Sequence, residues 1–284
     1  MSFININWYI ALAFCLFFFI GGRQLAEVPG GTPHTRKVAG MILCAFAAPA
    51  LLFPLAYMPG GIAAMPWYNT FRTINRIELL STLIAPAAGY ATYLKPASQI
   101  KGYKTASNPI ISAIKPIAFP ICLLFISLNF IRPLLKPLDK ETKFDDVWVD
   151  SVVLMQSAEQ TGGPAALISA MNSLNNYTGS EYNATKGTYT DGGGTEFWYL
   201  ARYAMHSGYR VKFFRPYGIE NAPVPSVIPL SGAGGYIALL KRSEAGILEI
   251  GDPLAGKMIL TTAEFISIYG DPNLVLALSV PKNR

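Results

Sequence analysis

The chain has 284 residues, of which 51% are hydrophobic and only 14% charged, against about 25% charged in an ordinary soluble domain. Its formal net charge of +6 divides unevenly: residues 1–139 carry 11 Lys/Arg and 3 Asp/Glu, and residues 140–284 carry 12 and 14. The excess cations sit between long uncharged runs, which points to loops beside a membrane and excludes a nucleic-acid surface.

The first part is read as a membrane domain, residues 1–139. Four apolar runs approach the roughly 20 residues that a transmembrane helix needs: Met1 to Gly22, Val38 to Met58, Ile77 to Leu94 and Ile110 to Ile131. Pro49, Pro54, Pro86, Pro116 and Pro120 interrupt them, which packed membrane helices tolerate. The first run has no basic residue before it, and Arg23 follows it, so a retained span is expected rather than a cleaved signal. Counted over four crossings, Lys and Arg favour the Gly22–Lys37 and Lys95–Pro109 connections slightly, which places both termini outside.

Between the second and third runs lies PWYNTFRTINRIEL. Trp67, Phe71, Ile74 and Glu78 fall at helical spacing, with Arg72 and Arg76 on another face. This reads as an interfacial segment near residues 66–78, with aromatic rings at headgroup depth. Lys115 and Glu78 stand near span ends and form no paired cluster, so an ion path is not indicated. Cys15, Cys44 and Cys122 lie in apolar runs and read as small buried hydrophobes. No disulfide framework, zinc spacing or cofactor motif is present.

From residue 140 the texture becomes that of a soluble domain, residues 140–284. Helical patterns run over Pro164–Asn175 and Thr195–Ser207. Strand patterns run over Tyr209–Phe214, Val224–Ile228, Gly235–Leu240, Ile247–Ile250 and Leu274–Val280. Thr261 and Glu264 have the spacing of a capping box. Asp191-Gly192-Gly193-Gly194 reads as a flexible loop, because it lacks the lysine of a phosphate-binding turn. Helices followed mostly by strands predict an α+β fold.

The run Gln156-x5-Gly162-Gly163-Pro164-Ala165-Ala166 resembles the first signature of the C39 cysteine peptidases, the bacteriocin-processing type with a papain-like fold. GGYIALLKRSEAGILEIGDPLAG, Gly234 to Gly256, resembles the family's second signature. GTEFWYLARYAMHSGYRV and TAEFISIYGD are similar to its middle helix and closing helix. The resemblance covers Trp148 to Val280, and the layout is similar to bacterial multi-span membrane proteins that end in such a domain.

By that resemblance, the oxyanion-hole glutamine corresponds to Gln156 and the orienting aspartate to Asp252. The nucleophilic cysteine corresponds to Gly162 and the general-base histidine to Gly235. Residues 140–284 contain no cysteine, and their one histidine, His206, is distant in sequence from both signatures. Ser157 and Thr161 flank the vacated position, but a hydroxyl nucleophile needs an adjacent base and none is evident in the sequence. The resemblance therefore implies a fold of four transmembrane helices followed by a papain-like α+β domain, and a chain that is not an enzyme.

The implied role is a pseudo-peptidase that binds or scaffolds a protein or peptide partner, as an accessory subunit of a membrane complex. Its expected partners are the lipid bilayer and a protein, with no nucleic acid, cofactor or metal. Its expected place is the bacterial cytoplasmic membrane, with the soluble domain outside. Two alternatives remain open: a membrane peptidase that uses other residues, and a transporter component.

Overall fold

A computed structural model describes residues 3–27, 33–55, 62–93, 132–139, 141–230 and 235–281. It forms two compact units. One gathers Met1–Ile4, Ile62–Asn75 and Arg132–Arg284; the other holds Asn5–Gly61 and Arg76–Ile131.

The second unit is helical. Helix α1 (Ile6–Glu27) is continuous, and its stretch Ile6–Ala26 is long and apolar enough to cross a bilayer. It is the one such helix among the described residues, so the expectation of four transmembrane helices is corrected. The apolar run after residue 38 breaks instead into α2 (Pro33–Ala47), a 3-10 turn at Ala48–Leu51 and α3 (Leu52–Leu55). Pro49 and Pro54 lie in the pieces that follow α2. Each lacks the amide that would carry the helix on. Fifteen residues of α2 span only about 22 Å at 1.5 Å per residue, short of the roughly 30 Å hydrocarbon core. The third run begins as a 3-10 helix, Ile77–Leu83, and becomes α5 (Ile84–Tyr93), with Pro86 in its first turn. The run Ile110 to Ile131 lies outside the described residues. The outward placement of residues 140–284 was counted over four crossings and loses that support with them.

Helices α1 and α5 pack backbone to backbone. A Cβ at Gly22 would lie 2.2 Å from the Pro86 carbonyl oxygen, and one at Gly89 would lie 2.1 Å from that of Phe19. Small residues that allow such an approach are a recurrent device of helix pairs in membranes.

In the first unit a six-stranded antiparallel sheet runs in the order β3-β8-β4-β5-β6-β7. Its strands are β3 (Arg210–Phe214), β4 (Ser226–Pro229), β5 (Tyr236–Arg242), β6 (Leu248–Asp252), β7 (Gly256–Leu260) and β8 (Val275–Ser279). A two-residue hairpin, β1 (Trp148–Val149) with β2 (Val153–Leu154), precedes them. Helices α7 (Gly162–Asn175), α8 (Glu181–Gly187) and α9 (Phe197–His206) follow β2, and α10 (Thr262–Tyr269) lies between β7 and β8.

Both faces of the sheet are buried, and β5 shows how. Ala238 and Leu240 join the core shared with α7 and α9, while Ile237 and Leu239 join a second core with Phe265 of α10. Alternate side chains of a strand point to opposite faces, so a strand covered on both sides reads as one apolar run. The expected capping box opens α10: Thr261 Oγ1 accepts from Glu264 N, and the Glu264 carboxylate accepts from Thr261 N at 2.8 Å. Those bonds hold the Glu264 carboxyl below its ordinary value. The hairpin, α8 and β7 are additions to the elements expected from sequence.

The segment expected at a bilayer surface divides in the structure. Helix α4 (Pro66–Arg72) belongs to the same unit as the sheet, and a left-handed Arg76 separates it from the 3-10 turn that carries Glu78. Arg72 is 1% exposed, and its guanidinium lies 4.2 Å from the Trp198 ring of α9. Tyr68 meets the same ring edge-on at 6.0 Å. Arg202 Nη2 donates to the carbonyls of Arg72 at 2.7 Å and Ile74 at 3.2 Å.

The glycine loop is also held by distant residues. Helix α6 (132–135) brings Arg132 to Asp191, Nε to Oδ2 at 3.1 Å, and Gly192 N donates to the Lys136 carbonyl at 2.7 Å. Asp191 Oδ1 accepts from Gly193 N at 2.7 Å. The loop expected to be flexible is a pinned turn.

Two outcomes follow for the full chain in mild detergent. Gly89→Val forces α1 and α5 apart, and cysteine pairs placed across them lose their cross-linking while the sheet unit keeps its melting temperature. Trp198→Ala removes the ring that Tyr68 and Arg72 cover, costs about 3–5 kcal/mol, and opens residues 62–75 to limited proteolysis.

Candidate functional site

Helix α7 begins at Gly162, directly after a 3-10 turn at Glu159–Thr161. Pro164 fits the first helical turn, where an amide has no intrahelical acceptor. Thr161 is the residue before the helix, but its hydroxyl does not cap it; the hydroxyl turns back onto Ala158, donating to its carbonyl at 2.8 Å. The positive end of the helix dipole therefore faces the loop that carries Gln156.

Gln156 approaches that end. A Cβ built on Gly162 would sit 2.6 Å from Gln156 Oε1 and 3.9 Å from the backbone nitrogen of Tyr236. The carboxamide thus occupies the space into which a side chain at Gly162 would project. The Gln156 backbone is fixed from the other side: its N–H donates to the Pro253 carbonyl at 3.0 Å. One residue therefore ties the α7 start to the turn after β6.

Gly235 immediately precedes β5, and its carbonyl accepts from Leu230 N at 2.9 Å. Among the described residues a Cβ there would meet Leu230 Cδ1 at 3.5 Å, an ordinary contact. Tyr236 follows it. Its hydroxyl donates to the Thr195 carbonyl at 2.6 Å, and burial pushes its ionisation far above the usual phenol range. Its ring covers Gly163, where a Cβ would lie 3.0 Å from Tyr236 Cδ2 and 3.3 Å from Thr195 Cβ. A side chain at Gly163 would press on this half-buried ring, which the hydrogen bond to Thr195 holds in place.

Asp252 ends β6 and is 8% exposed. Oδ1 accepts from Leu254 N at 2.8 Å and Ala255 N at 3.3 Å, which shapes the turn into β7. Oδ2 accepts from the Tyr269 hydroxyl at 2.6 Å. Burial, then the Asp252 hydrogen bond and charge, keep that phenol protonated well above its ordinary range. The aspartate is engaged with its own turn and with α10.

The structure thus brings Gln156, Gly162, Gly235 and Asp252 into one neighbourhood, through the Gln156–Gly162 approach, the Gly162–Tyr236 approach and the Gln156–Pro253 hydrogen bond. It leaves His206 apart, exposed in the last turn of α9. Among the described residues no His, Cys, Asp or Glu group is arranged to hold a metal ion.

One residue of the site was not legible in the sequence. Glu181, the first residue of α8, is 0% exposed. Its Oε1 accepts from Ser157 N at 2.7 Å, and the Ser157 hydroxyl donates to Oε2. The Thr161 hydroxyl lies within reach of the same carboxyl. The carboxylate that the sequence did not reveal beside Ser157 is therefore present. It grips the amide and the hydroxyl of one residue together, which braces the chain and does not present the hydroxyl outward.

No family model matches the chain, and no curated protein matches it significantly. Solved structures do. A double glycine motif protease from an AMS/PCAT transporter, in complex with its leader peptide, is 16% identical; the match covers 44% of this chain and 89% of that one, with a TM-score of 0.37. The peptidase domain of Streptococcus ComA, a bifunctional ABC transporter of a quorum-sensing pathway, is 19% identical over 46% of this chain and 98% of that one, at 0.39. The peptidase domain of Streptococcus mutans ComA gives 16%, 45% and 98%, at 0.35. The expectation that this chain is no enzyme runs against these matches, each of which is a protease or a peptidase domain. Close to half of the chain is similar to C39 peptidase domains.

Proposed function

We propose that the sheet unit takes an extended polypeptide segment of a partner protein at the meeting point of the α7 start, the β5 start and the turn at residues 252–255, on a chain that α1 anchors in a lipid bilayer. The observation that carries this reading is the side-chain-free Gly235 next to Tyr236, whose backbone nitrogen lies near the Gly162 position that the Gln156 carboxamide fills. Glycine lets another chain come close to the backbone. A carboxamide offers both a donor and an acceptor to a peptide group, and main-chain hydrogen bonds of this kind give extended peptides their affinity. Leu254, 73% exposed on the same turn, adds an apolar contact for a side chain of that segment. The protein partner, and with it a place in a larger membrane assembly, belongs to the same proposal.

Gly235→Phe tests it. Among the described residues the built Cβ meets nothing closer than Leu230 Cδ1 at 3.5 Å, so the position takes a side chain there. Full-length protein in mild detergent is incubated with a library of unstructured peptides, and retained and shortened peptides are both identified by mass spectrometry. The wild type retains a defined subset. Gly235→Phe and Gln156→Ala lower the affinity of that subset by about tenfold or more, the equivalent of 1.4 kcal/mol, with unchanged melting temperature. Shortened peptides that disappear with the same variants identify hydrolysis at this site. Equal retention by wild type and Gly235→Phe overturns the assignment.

A further inference from the structure

Glu181 stands outside every motif, yet it holds one end of the loop that carries the site and lies near the other. Ser157 follows Gln156 directly, and Thr161 precedes Gly162 directly. The Glu181 carboxyl accepts from the amide and the hydroxyl of the former and lies within reach of the hydroxyl of the latter. Thr161 in turn accepts from Ala158 N at 3.1 Å and donates back to the Ala158 carbonyl, so the five residues 157–161 close on one another. Glu181 is itself fixed from behind: Asp146 Oδ1 accepts from its backbone amide at 2.7 Å. Both Glu181 and Thr161 are 0% exposed. A buried amide whose acceptor is removed keeps its full desolvation penalty, so the loop has a strong reason to stay where the carboxyl is.

We infer that Glu181 is the positioning residue of the site, bracing residues 157–161 so that the Gln156 carboxamide is held against Gly162. The brace deepens the polypeptide-binding reading and rests on that reading for its consequence. It does not act as a proton acceptor for Ser157. A carboxyl and a carboxamide can both accept from Ser157 N and both bond the Ser157 hydroxyl, so the role survives loss of the charge.

The electrostatics agree. Burial raises the Glu181 carboxyl above its ordinary value, the bonds from the Ser157 hydroxyl and amide oppose that, and the negative charge of Asp146 adds to it. A carboxyl whose ionisation is raised in the fold binds its proton more tightly folded than unfolded. Its contribution to stability is complete below the ordinary carboxyl range and declines as the pH rises through the raised value. Glu181→Gln, which stays neutral, removes that decline.

The test uses the full chain in mild detergent and three variants: Glu181→Ala, Glu181→Gln and Ser157→Ala. Amide hydrogen exchange is followed over residues 156–163, with strands β3 and β8 as the internal reference. Glu181→Ala speeds exchange at Ser157 and its neighbours by about tenfold or more and leaves the reference strands unchanged. Glu181→Gln restores wild-type protection, and its melting temperature lacks the share of the decline that the wild type shows as the pH rises above the ordinary carboxyl range. Wild-type exchange over 156–163 in Glu181→Ala overturns the proposal, as does failure of Glu181→Gln to restore protection. Should Glu181→Ala not fold, Ser157→Ala carries the test: it removes one of the two Ser157 contacts, speeds exchange in the loop alone, and overturns the brace if it does not. None of these readouts needs a bound peptide. Failure of peptide capture with an intact brace sinks the functional reading only, and an unbraced loop with intact capture sinks this one only.

Discussion

Strand β5 is apolar toward both faces of the sheet, and the rest of the soluble unit is arranged around that fact. A strand in this position needs a helical layer on each side. The chain supplies α7 and α9 for Ala238 and Leu240, and α10 for Ile237 and Leu239. Because α7 must lie over β5, its N-terminus is delivered to the end of the strand where Gly235 and Tyr236 sit. The antiparallel pairing of β5 with β6 brings Asp252 to the same end, since Gly251 pairs with Ala238. The site is a by-product of burying one strand twice.

Within that frame, contacts between residues far apart in sequence set the fine geometry. Gln156 is held by Pro253, Ser157 by Glu181, Gly163 is capped by Tyr236, and Asp252 is shared between its own turn and Tyr269. The three glycines do different work from one another. Gly163 is required by close packing against a half-buried ring. Gly162 leaves a space that the far end of a flexible side chain fills, and Gly235 borders only an ordinary contact.

The helical unit teaches a different lesson about reading apolar sequence. Hydropathy and length together suggested four spans, but continuity of the helix decides the matter, and that is a backbone property. Helix α1 has no proline over its length and runs unbroken. The two later described runs contain prolines and break into 3-10 and short α pieces. The α4 segment shows the complementary effect. Of its aromatic and basic residues, Tyr68 and Arg72 meet the Trp198 ring and Arg202 holds the Arg72 carbonyl, while Trp67 stays 51% exposed. Composition states what a segment needs, and several surroundings can meet the same need.

By itself the sequence determined the elements whose signal is local. Strand alternation, the Thr261–Glu264 capping box and the Gly-Gly-Pro helix start all act within a few residues, so five strands, three helices and the spacing of Gln156, Gly162, Gly235 and Asp252 could be read directly. Tertiary structure alone decided what lies opposite these elements. Glu181 sits 24 residues from Ser157, Arg132 reaches the Asp191 turn, and Arg202 reaches back 130 residues to the Arg72 carbonyl. Such partners leave no periodic trace in the chain. Their pairing depends on which buried polar group is left to be satisfied once the apolar faces have closed, and that is settled only when the whole core is assembled.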